Sequence, residues 1–150
     1  GPKVNRGLVE KYRTFCHDNL YDTGGGKWAG EPWFQKEIFV TEEMAEAESK
    51  ESNKAVFVIG RNAGEDKDLQ IVKGSWLLQD DEYNSIKNLC KFYDSVIVVF
   101  NTCGIIDTAW TENPDFCGKI DAVLYGWQGG QEGGKACAQV LCGKSIPFIL

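Results

Sequence analysis

Glu65, Asp66 and Asp68 crowd a short charged loop, Glu-Asp-Lys-Asp, soon after the uncharged run Ala55–Gly60 (AVFVIG). Six residues without a charge suit a buried strand, and the C-terminal ends of such strands are where open α/β sheets place ligands. A carboxyl that donates a proton near neutral pH needs burial or a neighbouring negative charge to raise its pKa. Asp66 can give Glu65 some of that charge. Arg61, which closes the run, acts in the opposite sense if it folds over Glu65, by favouring the ionised form. The competing reading is a solvated loop whose carboxylates face water.

Other constellations carry less. Cys16-His17 resembles a nucleophile and base in composition, but adjacent helical positions point about 100° apart, too far for a working pair. Gly129–Ala136 (GGQEGGKA) imitates a phosphate-binding loop, yet Ala136 stands where a magnesium-binding hydroxyl is required and Glu132 opposes phosphate. Close packing of strand, turn and helix through paired glycines is the better account. The six cysteines are Cys16, Cys90, Cys103, Cys117, Cys137 and Cys142, and no pair has the two-residue spacing of zinc or redox motifs. No metal and no cofactor is therefore expected. Cys16, Cys90 and Cys137 fall on apolar helix faces as small buried hydrophobes, and Cys103 with Cys117, flanking a loop, are the pair best placed for a disulfide.

The elements that position these residues follow from apolar spacing. Leu8, Val9, Tyr12, Phe15, Cys16 and Leu20 predict an amphipathic helix ending before Gly24–Gly26. Residues 24–37 hold too much glycine for an element and carry Trp28, Trp33 and Phe34, either as rings on which a ligand stacks or as ordinary plugs at the sheet edge. Ile38–Val40 is a short strand candidate, and Thr41 caps an acidic helix. After the central strand and its loop, Asp80 or Asp81 opens a helix with a stripe of Tyr83, Ile86, Leu89, Cys90 and Tyr93. Val96–Phe100 and Ala122–Tyr125 are further strands, and Glu132–Leu141 a further helix with Gly143 at its end. Alternating strands and helices predict an α/β fold: a mostly parallel sheet flanked by helices on both faces, a three-layer αβα sandwich. Residues 1–150 are expected to form one domain.

With 43% hydrophobic and 25% charged residues, the chain has the balance of a soluble globular protein, and no membrane partner is expected. Sixteen basic against 22 acidic residues give a net charge of −6, so no nucleic-acid partner is expected. Gly1-Pro2 reads as a tag remnant, which leaves any export signal unread.

Three stretches in order carry a family resemblance. The Ala55–Asp68 loop resembles the one that bears a catalytic glutamate in the C-terminal α/β domain of glycoside hydrolase family three, the β-glucosidase family. Val96–Trp110 (VIVVFNTCGIIDTAW) resembles its Asn-x-Gly-x-x-Ile-Asp segment, and Asp121–Gly134 (DAVLYGWQGGQEGG) its Trp-Gln-Gly-Gly-Gln-Glu-Gly-Gly run. The matches cover roughly residues 38–150. The resemblance implies that Glu65 is the acid/base and that the nucleophilic aspartate lies on a separate barrel domain. Arg61, Asp66 and Trp76, the last in Lys73-Gly74-Ser75-Trp76, become candidates to bind substrate, while Asp107, Trp110 and Gln128 match positions whose work is structural. Two departures are visible: Glu65-Asp66 stands where many relatives have Glu-Gly, and the exit link Gly143–Phe148 is shorter.

Two functional expectations follow. The first is the α/β domain of a retaining β-glucosidase, hydrolysing terminal β-D-glucosyl residues of a β-glucoside or cello-oligosaccharide together with a barrel domain and inactive alone. The alternative is a non-catalytic docking module of a plant-polysaccharide-degrading assembly, with Trp28 and Trp33 anchoring a protein or glycan partner. An extracellular location is expected for either.

Overall fold

The computed structural model describes residues 4–147, so Gly1, Pro2 and Phe148 lie outside the described residues. Strand β1 (Lys54–Arg61) buries alternate side chains, Ala55, Phe57, Ile59 and Arg61, as a period-two pleat requires. Helix α3 (Asp80–Phe92) returns the chain to β2 (Ser95–Thr102), which pairs in parallel with β1 from Lys54↔Ser95 to Arg61↔Thr102. β3 (Ile120–Tyr125) joins β2 in parallel, giving one sheet of order β1-β2-β3. This is the expected α/β class with a parallel sheet.

Helix α3 forms because its acidic first turn, Asp80, Asp81 and Glu82, complements the helix dipole while Ile86, Leu89 and Cys90 share one buried stripe. That stripe meets Phe57, Ile59, Val96, Val98 and Phe100 in the core. Two 3₁₀ turns between β2 and β3 add Trp110 and Phe116, which pack edge to face at 5.8 Å, with Tyr83 lying 4.9 Å from Phe116. Val56 and Val58, on the other face of β1, remain about half exposed.

Helices α1 (Arg6–Asp18) and α2 (Glu42–Ser49) precede the sheet; Thr41 caps α2 as expected by accepting from the Met44 N–H, and Asn5 caps α1 by accepting from the Leu8 N–H. The α1 cap Asn5 and Lys11 within α1 both donate to Glu48 of α2. This contact holds the Glu48 carboxyl below its usual range, through the Lys11 bond first. Leu20, expected on the α1 apolar face, lies past the helix end and is exposed. Helix α4 (Gly133–Leu141) ends as expected ahead of Gly143, whose φ of 66° suits glycine.

Ile38–Val40 is not a strand. Val40 is nevertheless buried, and α3 side chains replace the ladder: its N–H donates to Ser85 Oγ and its carbonyl accepts from Asn88 Nδ2. Side-chain partners on a helix, in place of a neighbouring strand, leave no period-two signature in the sequence.

All six cysteines are free thiols, so Cys103 and Cys117 do not form a disulfide. Cys90 is buried as expected, Cys137 is half-buried, and Cys16 is exposed because α1 buries none of its residues completely. Burial pushes the Cys90 thiol up to about 11. Since the thiolate is the reactive form, Cys90 is expected to react with a neutral-pH thiol reagent roughly two orders of magnitude more slowly than Cys16, Cys117 and Cys142. Mass spectrometry after timed alkylation checks this; labelling of Cys90 at the rate of the exposed thiols would contradict it.

Candidate active site

The loop after β1 is held by a fixed post. Arg61 is 3% exposed, and its guanidinium makes a two-point contact with Glu82 of α3, both bonds at 2.7 Å. Its remaining donors go to the carbonyls of Gly60, Ser75 and Leu77. All five N–H groups are thus engaged inside the protein. The expectation that Arg61 binds substrate is corrected here: the side chain fastens the end of β1 to the first turn of α3 and to the 75–77 turn.

Beyond Arg61 the chain crosses to the glycine-rich segment. The Asn62 N–H donates to the Trp33 carbonyl at 2.6 Å, and Asn62 Nδ2 donates to the Pro32 carbonyl and Tyr21 Oη. Trp33 is half-buried, and its indole N–H reaches the Asp68 carbonyl at 3.3 Å. This placement makes Trp33 a loop fastener rather than a free anchor. Phe34 packs on the 73–77 turn so tightly that a Cβ on Gly74, φ 80°, would lie 2.3 Å from its ring. Gly74→Ala is accordingly expected to destabilise the chain by more than about 1 kcal/mol, measured as a lower urea midpoint.

Gly64 and Lys67 exchange backbone hydrogen bonds of 3.4 and 3.1 Å, which places Glu65 and Asp66 at the tip of a tight reverse turn. Asp66 takes φ 62° there. Glu65 is exposed and lines an open cleft of about 690 Å³. Asn62 and Lys67 share its wall with Glu65, while Lys27, Trp28 and Glu31 face it from the glycine-rich segment. Cys103, just past β2, and Gln128, just past β3, complete the floor, with the Gln128 amide donating to Cys103 Sγ. Residues following all three strand ends therefore meet at the C-terminal edge of the parallel sheet.

The cleft thus brings Glu65 and Trp28 together, with the indole N–H of Trp28 donating to Asp66 Oδ2 at 3.1 Å. Trp76 does not line it. That ring is half-buried elsewhere, and its backbone bridges Gln70 and Asp107. Asp107 and Trp110 interlock, the Trp110 indole N–H donating to the Asp107 carbonyl at 2.7 Å. Gln128, expected to be structural, lies in the cleft instead. Near α4, a Cβ on Gly129 would fall 2.5 Å from the Gly133 Cα, which is the close backbone approach expected of the paired glycines. His17 contacts only its exposed neighbour Asp18 among the bonds it makes. No group of three or more His, Cys, Asp or Glu that could hold a metal ion occurs among the described residues.

The family model for the glycosyl hydrolase family 3 C-terminal domain matches residues 9–148. The chain belongs to this family. It is 34% identical over 147 residues to a β-glucosidase of Ruminococcus albus, an alignment covering 98% of this chain and 15% of that protein. Over 74 residues it is 42% identical to β-glucosidase A of Butyrivibrio fibrisolvens, covering 49% of this chain and 9% of that protein. Among solved structures, a β-glucosidase from Paenibacillus barengoltzii superposes with a TM-score of 0.91 at 40% identity, over 95% of this chain and 15% of that one. β-Glucosidase 3B of Thermotoga neapolitana, in complex with glucose, superposes with a TM-score of 0.75 at 26% identity, over 93% of this chain and 19% of that one. The family 3 chain described here thus spans about 15% of the length of the Ruminococcus and Paenibacillus relatives.

Proposed function

We propose that this domain supplies Glu65 as the acid/base of a retaining β-glucosidase, acting on terminal β-D-glucosyl residues with a nucleophilic carboxylate carried by a separate barrel domain. The observation that carries the reading is the position of Glu65: on a tight turn, in an open cleft at the C-terminal sheet edge, beside an exposed tryptophan. Retaining hydrolysis needs two carboxyl groups about 5–5.5 Å apart. In this proposal Glu65 is one of them. Its proton goes to the departing glycosidic oxygen, and its carboxylate then takes a proton from the water that releases the sugar.

The other cleft residues suit a sugar. Trp28 offers a ring face to a pyranose, and Lys27, Lys67 and the Asn62 and Gln128 amides offer donors to hydroxyls. Glu31 adds an acceptor. Glu65 is exposed to water in this chain, so closure of the cleft by the barrel domain is what supplies the desolvation an acid requires.

The test is hydrolysis of an aryl β-glucoside by the chain alone and by the chain with excess family 3 barrel domain. Activity confined to the mixture is expected. A mixture that associates but hydrolyses nothing would overturn the proposal.

A further inference from the structure

One side-chain bond joins the tip of the Glu65 turn to the glycine-rich segment across the cleft. Asp66 takes φ 62°, and Ala29, immediately after Trp28, takes φ 52°; both are left-handed conformations that a Cβ disfavours. Trp28 is 74% exposed, so its ring is not held by burial. What ties it down is the indole N–H donated to Asp66 Oδ2 at 3.1 Å, between residues 38 apart in sequence. The acceptor is a carboxylate, and charge assistance makes such bonds stronger than neutral ones.

From this geometry we infer that the Trp28–Asp66 bond is a positioning latch, which fixes the turn bearing Glu65 relative to the Trp28 ring. The inference rests on the acid/base reading above for its catalytic consequence, but not for its geometry. Asp66 and Trp28, which sequence analysis placed with substrate and with a partner, then act first on each other. The turn is secured at its base by the Gly64–Lys67 bonds and by Asn62, and at its tip by Trp28. Without the latch, the tip carries a left-handed aspartate with no named partner, and Glu65, its neighbour, loses its register with the ring on which the sugar stacks. Misplacing a reacting group by a fraction of its working distance lowers turnover more than binding.

The test begins on the ¹⁵N-labelled chain, whose five tryptophans give five indole N–H signals. Trp28→Phe removes one signal and so assigns it. Asp66→Ala is expected to shift that signal and to increase the mobility of the Glu65 and Lys67 amides, as Trp28→Phe also does. Asp66→Asn, which keeps an acceptor, is expected to restore both. In the barrel mixture, Asp66→Ala is expected to lower kcat by roughly tenfold with KM within about twofold. The double variant is then no worse than Trp28→Phe alone, because the two residues act as one unit. An unshifted Trp28 signal, unchanged amide mobility in Asp66→Ala, or additive losses in the double variant would overturn the latch. If the signals move as expected but Glu65→Gln turns over normally, the acid role falls and the latch itself is supported.

Discussion

Replacing Glu65 by glutamine is expected to lower kcat of the chain–barrel mixture by roughly 10²–10⁴-fold on glucosides with poor leaving groups, the range that a positioned general acid contributes. The amide preserves size and hydrogen bonding but cannot give a proton to the departing oxygen. The loss should shrink for glucosides of acidic phenols, whose oxygen leaves without protonation. Glu65 lies exposed at a turn tip, with no side-chain bond among the described contacts, so stability should move by no more than about 0.5 kcal/mol. A uniform loss across leaving groups, or a lowered urea midpoint, would show that the substitution acts on folding or binding rather than on proton transfer.

The second large effect concerns the post beneath the loop. Arg61→Ala or Glu82→Ala is expected to destabilise the chain by about 3–5 kcal/mol, because each leaves the other's charge buried and unpaired. The two side chains are 0% and 7% exposed. Glu82 also accepts from the Gln79 N–H at the start of α3, so its loss frays that helix as well. Replacing both residues by apolar ones of similar size, Arg61→Met with Glu82→Leu, is expected to recover much of the loss, since no lone charge remains. Urea unfolding of the four proteins decides this. Single variants within about 1 kcal/mol of the parent would mean that the pair is relaxed by water in solution.

How much of this could be read from the sequence depended on whether the cause was local. The strands at 54–61, 95–102 and 120–125 and the helix at 80–92 follow from apolar period and an acidic helix start, and the structure has them within a few residues. Ile38–Val40 misled because its backbone partners, Ser85 and Asn88, are more than forty residues away. Arg61 looked like a rim residue because it ends a strand beside a carboxylate loop. Its partner Glu82 is visible only as one of three acids in a helix's first turn, and nothing in spacing pairs them.

The cleft was legible in part. Glu65, Asp66 and Trp28 were singled out from a charged loop and a glycine-rich aromatic segment, and the fold brings these two segments together. Lys27, Glu31 and Lys67 were not, since single polar residues in loops carry no periodic signal, and Cys103 was considered only as a disulfide partner. Gln128 was noticed but assigned to structure; its position just after β3, at the same sheet edge as Glu65, was the available clue. Trp76 entered through the resemblance of Lys73-Gly74-Ser75-Trp76 to a family segment near the rim, yet the 70–77 turn bonds its backbone to Gln70 and Asp107.

The most direct test of the central claim uses a Glu65→Ala chain with the barrel domain, an activated aryl β-glucoside and sodium azide. If Glu65 is the acid/base, the glycosyl-enzyme still forms from the activated substrate but water attacks it slowly, and azide, which needs no base, restores turnover and yields β-glucosyl azide. Failure of azide to raise the rate or to appear in a β-configured product, in a mixture where the unsubstituted chain is active, would contradict the account.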